Sequence, residues 1–139
     1  MRDYLAEQGL PDIEFTKIRQ FFDHPKFVAE MAAAVTEVWG QVPEEKKEST
    51  RLLFTAHSVP VAHDNVGGVV GDKNLYSRQV AEASRLVASQ AGISDYDLVW
   101  QSRSGNPRTP WLEPDIVDHT TDIHHNEGCL LYTSPSPRD

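Results

Sequence analysis

Histidine is the side chain whose charge changes near neutral pH, and the sequence has six of them. One stands apart by position. His57 lies in the run Leu52-Leu53-Phe54-Thr55-Ala56-His57-Ser58-Val59-Pro60. Leu52 to Phe54 are continuously apolar, the pattern of a strand covered on both faces in a parallel sheet. Pro60 cannot donate to a ladder and Ser58 opens a turn, so the strand is expected to stop near His57. In open α/β sheets ligands bind just beyond the carboxyl ends of strands, which is where His57 falls. Two readings follow: a histidine that caps the strand through a satisfied hydrogen bond, or an imidazole offered to a ligand. Imidazole suits borderline divalent metals such as ferrous iron or zinc, but one imidazole cannot hold a metal tightly. No residue elsewhere in the sequence clearly supplies a second ligand.

Other combinations of residues have plainer explanations. His57-Ser58 puts a base beside a hydroxyl, but neighbouring strand residues point to opposite faces, and no glycine-flanked nucleophile elbow is present. Gly67, Gly68 and Gly71 do not match a phosphate loop. His119, Asp122, His124 and His125 are metal-ligand types on one helix, yet their spacing does not bring all four to one face, which favours a solvated polar surface. His63 and Asp64 sit in an irregular stretch, as ligand contacts or as plain surface. Trp100 reads as core and Trp111 as a packing residue in a loop. A second strand mouth is expected at Gln101-Ser102, followed by a loop rich in Gly and Pro.

These residues need elements to position them. Asp12 to Ile18 alternates polar and apolar, so it is expected to be a strand. Asp23-His24-Pro25 reads as a helix start with Asp23 as cap. Val28, Met31, Ala32, Val35, Val38 and Trp39 then recur at helical spacing up to Gly40 as C-cap. Pro43 to Glu48 reads as a charged, solvated connection. Val61 to Asn74 shows no periodicity and is expected to be irregular, a length that is usually functional or mobile. Leu75 to Ala91 is a second amphipathic helix closed by Gly92, and Tyr96 to Ser102 a further strand. Pro114 opens a third helix reaching about Asn126. The order β-α-β-α-β-α implies an α/β fold with a parallel, doubly wound sheet, here an incomplete domain over residues 1–128. Residues 129–139 break the rhythm with early prolines and read as a non-native tail of translated adapter sequence.

Composition limits the partners. The 139 residues suffice for one domain with a core. With 13 basic and 21 acidic residues, formally −8, the chain is a poor candidate for nucleic acid or for an anionic membrane surface. No run approaches the roughly 18 apolar residues of a membrane span. The single cysteine, Cys129, excludes an internal disulfide framework and suits a reducing cytoplasm.

Four segments resemble the ferrochelatase family, in order and at compatible distances. They are Thr55-Ala56-His57-Ser58-Val59-Pro60, then Leu75-Tyr76, then Leu98-Val99-Trp100-Gln101-Ser102, and Pro110-Trp111-Leu112-Glu113-Pro114-Asp115. Phe22-Asp23-His24-Pro25-Lys26-Phe27 looks like the same family's helix entry, and Ser77-Arg78-Gln79-Val80-Ala81-Glu82-Ala83 points to the bacterial branch that metallates coproporphyrin III. The resemblance implies insertion of ferrous iron into coproporphyrin III or protoporphyrin IX, both of them substrates, in haem biosynthesis. It makes His57 the catalytic residue and metal ligand, and places Ser102 and Trp111 beside the porphyrin. It also implies that the segment is the start of the C-terminal domain of a two-domain enzyme. The N-terminal domain and the glutamate that faces the histidine lie outside it, so the segment alone is expected to be inactive. The resemblance leaves a [2Fe-2S] cluster open, since its place would be in the family's C-terminal end, outside this segment. The alternatives are a related chelatase for cobalt or sirohydrochlorin, and a module that binds metal or tetrapyrrole without turnover.

Overall fold

The apolar runs around Leu53 and Val99 form strands, and these pair with each other. A computed structural model of the chain describes residues 4, 7–9, 16, 18–68, 72–106 and 108–127. In it β1 (Leu52–His57) and β2 (Tyr96–Gln101) run parallel, in register from Leu52 opposite Tyr96 to His57 opposite Gln101. Parallel strands need a long crossover. Here it is supplied by α3 (Val61–Val66) and α4 (Leu75–Ala91). Before β1 come α1 (Pro25–Gly40) and the single turn α2 (Glu44–Lys47); after β2 comes α5 (Ile116–Glu127).

The helix ends follow local chemistry, with corrections to the expected caps. His24, not Asp23, caps α1: its Nδ1 accepts from the Lys26 N–H at 3.2 Å. Asp23 is drawn instead to Arg19, which donates to both carboxylate oxygens at 2.6 and 2.7 Å. Gly40 is the last helical residue rather than the cap, since Gln41 follows in right-handed conformation. Gly92 does close α4, at φ 71°, where a residue without Cβ fits without strain. The stretch read as irregular contains α3, a helix too short to show periodicity. The charged connection contains α2, exposed and spanned by a Lys47–Glu44 pair.

Val28 and Ala32 of α1 and Val87 of α4 form a buried cluster, flanked by Phe27, Val35, Phe54, Leu86 and Ala91. A fully buried aliphatic side chain of this kind contributes about 1.5–3 kcal/mol. Val99 is wholly buried and Trp100 nearly so, as expected of core. β1 is less covered than its apolar run suggests, with Leu52 to Phe54 only half-buried and Thr55 exposed. Among the described residues β1 pairs only with β2, and cavities of about 460 and 300 Å³ lie against its side chains.

Most of the strand expected over residues 12–18 lies outside the described residues, and Thr16 and Ile18 are in no strand. The sheet is therefore two-stranded among the described residues, a small parallel sheet of the chelatase-like α/β type. Residues 128–139 also lie outside them. Among the described residues no helix is long and apolar enough to cross a membrane.

Candidate active site

His57 is the last residue of β1, and its ring is exposed. Its Nδ1 lies 2.6 Å from the Ser58 carbonyl oxygen. A carbonyl can only accept, so Nδ1 carries the proton and, in the neutral ring, Nε2 keeps its lone pair. This is how proteins orient an imidazole for a metal or a proton: a backbone acceptor takes one nitrogen and the other is left bare. The hydrogen bond of the first reading of His57 thus leaves room for the second. The ring makes a satisfied hydrogen bond and still has a nitrogen to offer.

The strand exit is held from two sides. The Tyr76 hydroxyl donates to the His57 carbonyl at 2.8 Å, and its ring tilts against Trp100 with centroids 5.8 Å apart. Burial, with the nearby charge of Asp64, pushes the Tyr76 phenol above its ordinary value, so it remains a donor through neutral pH. Ser58, only 1% exposed, faces inward opposite to His57. Its N–H donates to Gln101 O at 2.8 Å and its hydroxyl to Leu112 O at 3.0 Å. A serine so enclosed is a structural tie, not a nucleophile.

The same tie continues past the strand. Val61 N–H donates to Pro110 O, Leu112 N–H donates to Val59 O, and Pro60 bridges to Trp111. The chain leaving β1 is thereby stitched to the Trp111 loop. Trp111 does pack, being half-buried, yet its indole N–H is buried with no hydrogen-bond partner among the described residues. Leaving such a donor unpaired costs about 1–3 kcal/mol. Ser102 follows the residue opposite His57 and sits exposed at φ 66°. A left-handed backbone at a residue other than glycine costs about 1–2 kcal/mol, and such strain gathers where function constrains the chain. On the far side, Trp100 N–H donates to Pro114 O and Asp115 bridges to Trp100. The expected trio of His57, Ser102 and Trp111 is brought to one end of the sheet.

Asp64 is neither ligand contact nor surface. It is 2% exposed and accepts from Ser77 N–H at 3.1 Å, Ser77 Oγ at 2.6 Å and Asn74 Nδ2 at 3.1 Å. It thus does the work of an N-cap for α4 from another helix, since Asn74, the residue at that position, makes no side-chain cap bond. Burial pushes the carboxyl up, but these hydrogen bonds outweigh it and hold Asp64 below the ordinary carboxylate value. His63 is exposed.

The α5 residues do not assemble a metal site. His119 Nε2 meets Asp97 Oδ2 at 3.1 Å and ties α5 to β2, while His125 Nδ1 contacts Thr121 O at 2.9 Å. Asp122 and His124 are exposed. Among the described residues no group of three or more His, Cys, Asp or Glu could hold a metal ion. Among the described residues His57 therefore has no second metal ligand grouped with it.

Sequence reasoning missed the tie through Ser58 and the remote cap by Asp64. Only Ser77, at the third position of α4, hinted at the second, because its backbone N–H needs an acceptor. Tyr76 was singled out by resemblance alone.

A parallel βαβ unit with an imidazole at its strand mouth, beside a tryptophan loop, is of the chelatase-like α/β class. The chain belongs to the ferrochelatase family, whose model matches residues 1–136. It is 50% identical over 135 residues to the coproporphyrin III ferrochelatase of Corynebacterium glutamicum strain R, covering 97% of this chain and 36% of that protein. It is 54% identical over 109 residues to that of Nocardia farcinica, covering 78% of the chain and 31% of the relative. The Mycolicibacterium smegmatis protein of the same name is 50% identical over 130 residues, 94% of this chain and 37% of its own length. The chain thus spans about a third of the length of the curated relatives it matches.

Proposed function

We propose that this chain is the His57-bearing part of an enzyme that inserts ferrous iron into coproporphyrin III, a lyase of haem biosynthesis in the cytoplasm. The family and the names of its relatives support the substrate. The observation that carries the role of His57 is the bare Nε2 at the mouth of β1, left by the Nδ1 contact with Ser58 O. Iron enters the macrocycle as a dication and two pyrrole N–H protons leave, so charge is conserved. A neutral imidazole with a free lone pair can serve that exchange at two moments. It can take a departing proton, or it can replace a water on the incoming iron and hold it over one face of the ring. Tyr76 and Ser58 keep the imidazole where it stands, because each fixes backbone on one side of it. Ser102 and Trp111 would meet the porphyrin rim.

One imidazole cannot complete the reaction, and the segment alone is expected not to turn over. Iron insertion followed by porphyrin absorbance tests the reading, with residues 1–139 alone and with a full-length ferrochelatase carrying this segment. The expected result is no turnover by the segment and turnover by the longer protein that His57→Ala abolishes. Turnover by the segment alone would refute the half-site reading. Full activity of the His57→Ala enzyme would refute the role of the imidazole.

A further inference from the structure

His57 and Gln101 are register partners at the ends of β1 and β2. In-register residues of neighbouring strands point to the same face, with the strands about 4.8 Å apart, so the two side chains stand abreast. The opposite face carries Trp100, against which the Tyr76 ring lies. Toward the start of the strands, the face shared by His57 and Gln101 is closed. There His119 of α5 meets Asp97, and Val99, two residues before Gln101, is wholly buried. At its far end the same face opens, and Thr55, His57 and Gln101 are all exposed. The carbonyl of Gln101 is spent, since it accepts from the Ser58 N–H at 2.8 Å. Its side-chain amide is in no hydrogen bond among the described residues. The strand ends immediately after it, because Ser102 turns into the left-handed region at φ 66°. The pairing that delivers His57 to the strand mouth thus delivers Gln101 as well, with an oxygen acceptor to offer beside the free Nε2.

We infer that Gln101 is a positioning residue for the iron. Its carboxamide oxygen accepts a hydrogen bond from a water on the incoming ferrous ion, while His57 Nε2 takes one coordination place. The inference rests on the proposed function, and it adds to the imidazole a neutral second contact. Ferrous iron arrives hydrated, and an amide oxygen is a good acceptor for the polarised O–H of a metal-bound water. Being uncharged, the amide orients the ion without neutralising it, so the iron still passes on to the pyrrole nitrogens. A carboxylate at the same place attracts a dication far more strongly and retains it. Two contacts from neighbouring strands also fix a direction, which a single imidazole does not. The ion is aimed at the macrocycle rather than left to swing about one bond.

The test is iron insertion by a full-length ferrochelatase carrying this segment, with iron and coproporphyrin III varied separately. Gln101→Ala should raise KM for iron by about tenfold, the loss of one charge-assisted hydrogen bond, and leave KM for coproporphyrin III within about twofold. Gln101→Glu, of the same size, should lower KM for iron and lower kcat with it, because the ion is then held. Titration with Co2+, followed by its visible absorption, reads the same contact without turnover: affinity should fall from the Glu variant to the parent to the Ala variant. Both variants should keep the parent's far-UV circular dichroism, as expected of an exposed side chain at a strand end. An unchanged iron KM in Gln101→Ala, or an equal rise for both substrates, would overturn the role of Gln101 alone. So would a Gln101→Glu enzyme with the parent's affinity for Co2+. Full activity of a His57→Ala enzyme would overturn the proposed function and this inference with it.

Discussion

Replacing Asp64 should unfasten α4 from α3 and, through Tyr76, loosen the strand end that carries His57. The carboxylate is 2% exposed and accepts three hydrogen bonds, from Ser77 N–H, Ser77 Oγ and Asn74 Nδ2. Bonds to a charged acceptor contribute about 1.5–3 kcal/mol each, but three on one carboxylate share a network and do not add. Asp64→Ala also leaves the Ser77 N–H without its acceptor, so a loss of about 3 kcal/mol is expected. That is a large fraction of the roughly 5–15 kcal/mol that holds a domain together. Asp64→Asn keeps the shape but turns one acceptor into a donor, and should cost about 1–2 kcal/mol. Urea unfolding followed by far-UV circular dichroism measures both. The sign with pH follows from the lowered titration of Asp64. Its stabilisation is complete above the unfolded carboxylate value of about 3.9 and is lost as pH falls through the lower folded value. The gap between the native chain and Asp64→Asn should therefore narrow toward about pH 2. An Asp64→Ala chain within about 0.5 kcal/mol of native at neutral pH would refute the capping role.

Ser58→Ala removes the hydroxyl that donates to Leu112 O and should cost about 1–2 kcal/mol. It should also speed amide exchange at Val61 and Leu112, whose N–H groups stitch the two segments together. Tyr76→Phe keeps the ring against Trp100 but deletes the donor to His57 O, so a modest loss of about 1 kcal/mol is expected by thermal unfolding. Val99→Ala opens a void at a wholly buried position, and urea unfolding should show a loss of about 2 kcal/mol.

How far the sequence could be read depended on the range of each interaction. The βαβ order and the strand mouth at His57 were legible, because apolar runs, Pro60 and Gly92 act locally. The burial of Trp100 was equally clear from its place in an apolar run. Asp64 was misjudged because its partners, Asn74 and Ser77, lie ten and thirteen residues ahead, across a glycine-bearing stretch. The Ser58–Leu112 tie spans fifty-four residues and leaves no pattern in either segment. Asp23 fits a cap by residue type, yet Arg19, four residues back, competes for it. The strand in Leu52 to Phe54 was expected to be covered on both faces, and it is half-open. An apolar run records what a strand can bury, not which neighbours arrive to cover it.

The most direct measurement is iron insertion into coproporphyrin III by a full-length ferrochelatase carrying this segment, with and without His57→Ala. The exposed ring contributes little to packing, so the variant should keep its far-UV circular dichroism and unfolding midpoint. Its turnover should fall by at least about a hundredfold, the loss typical of a positioned proton acceptor. Turnover within a few-fold of the parent, in a variant that remains folded, would contradict the claim that the free nitrogen of His57 handles the iron or the pyrrole protons.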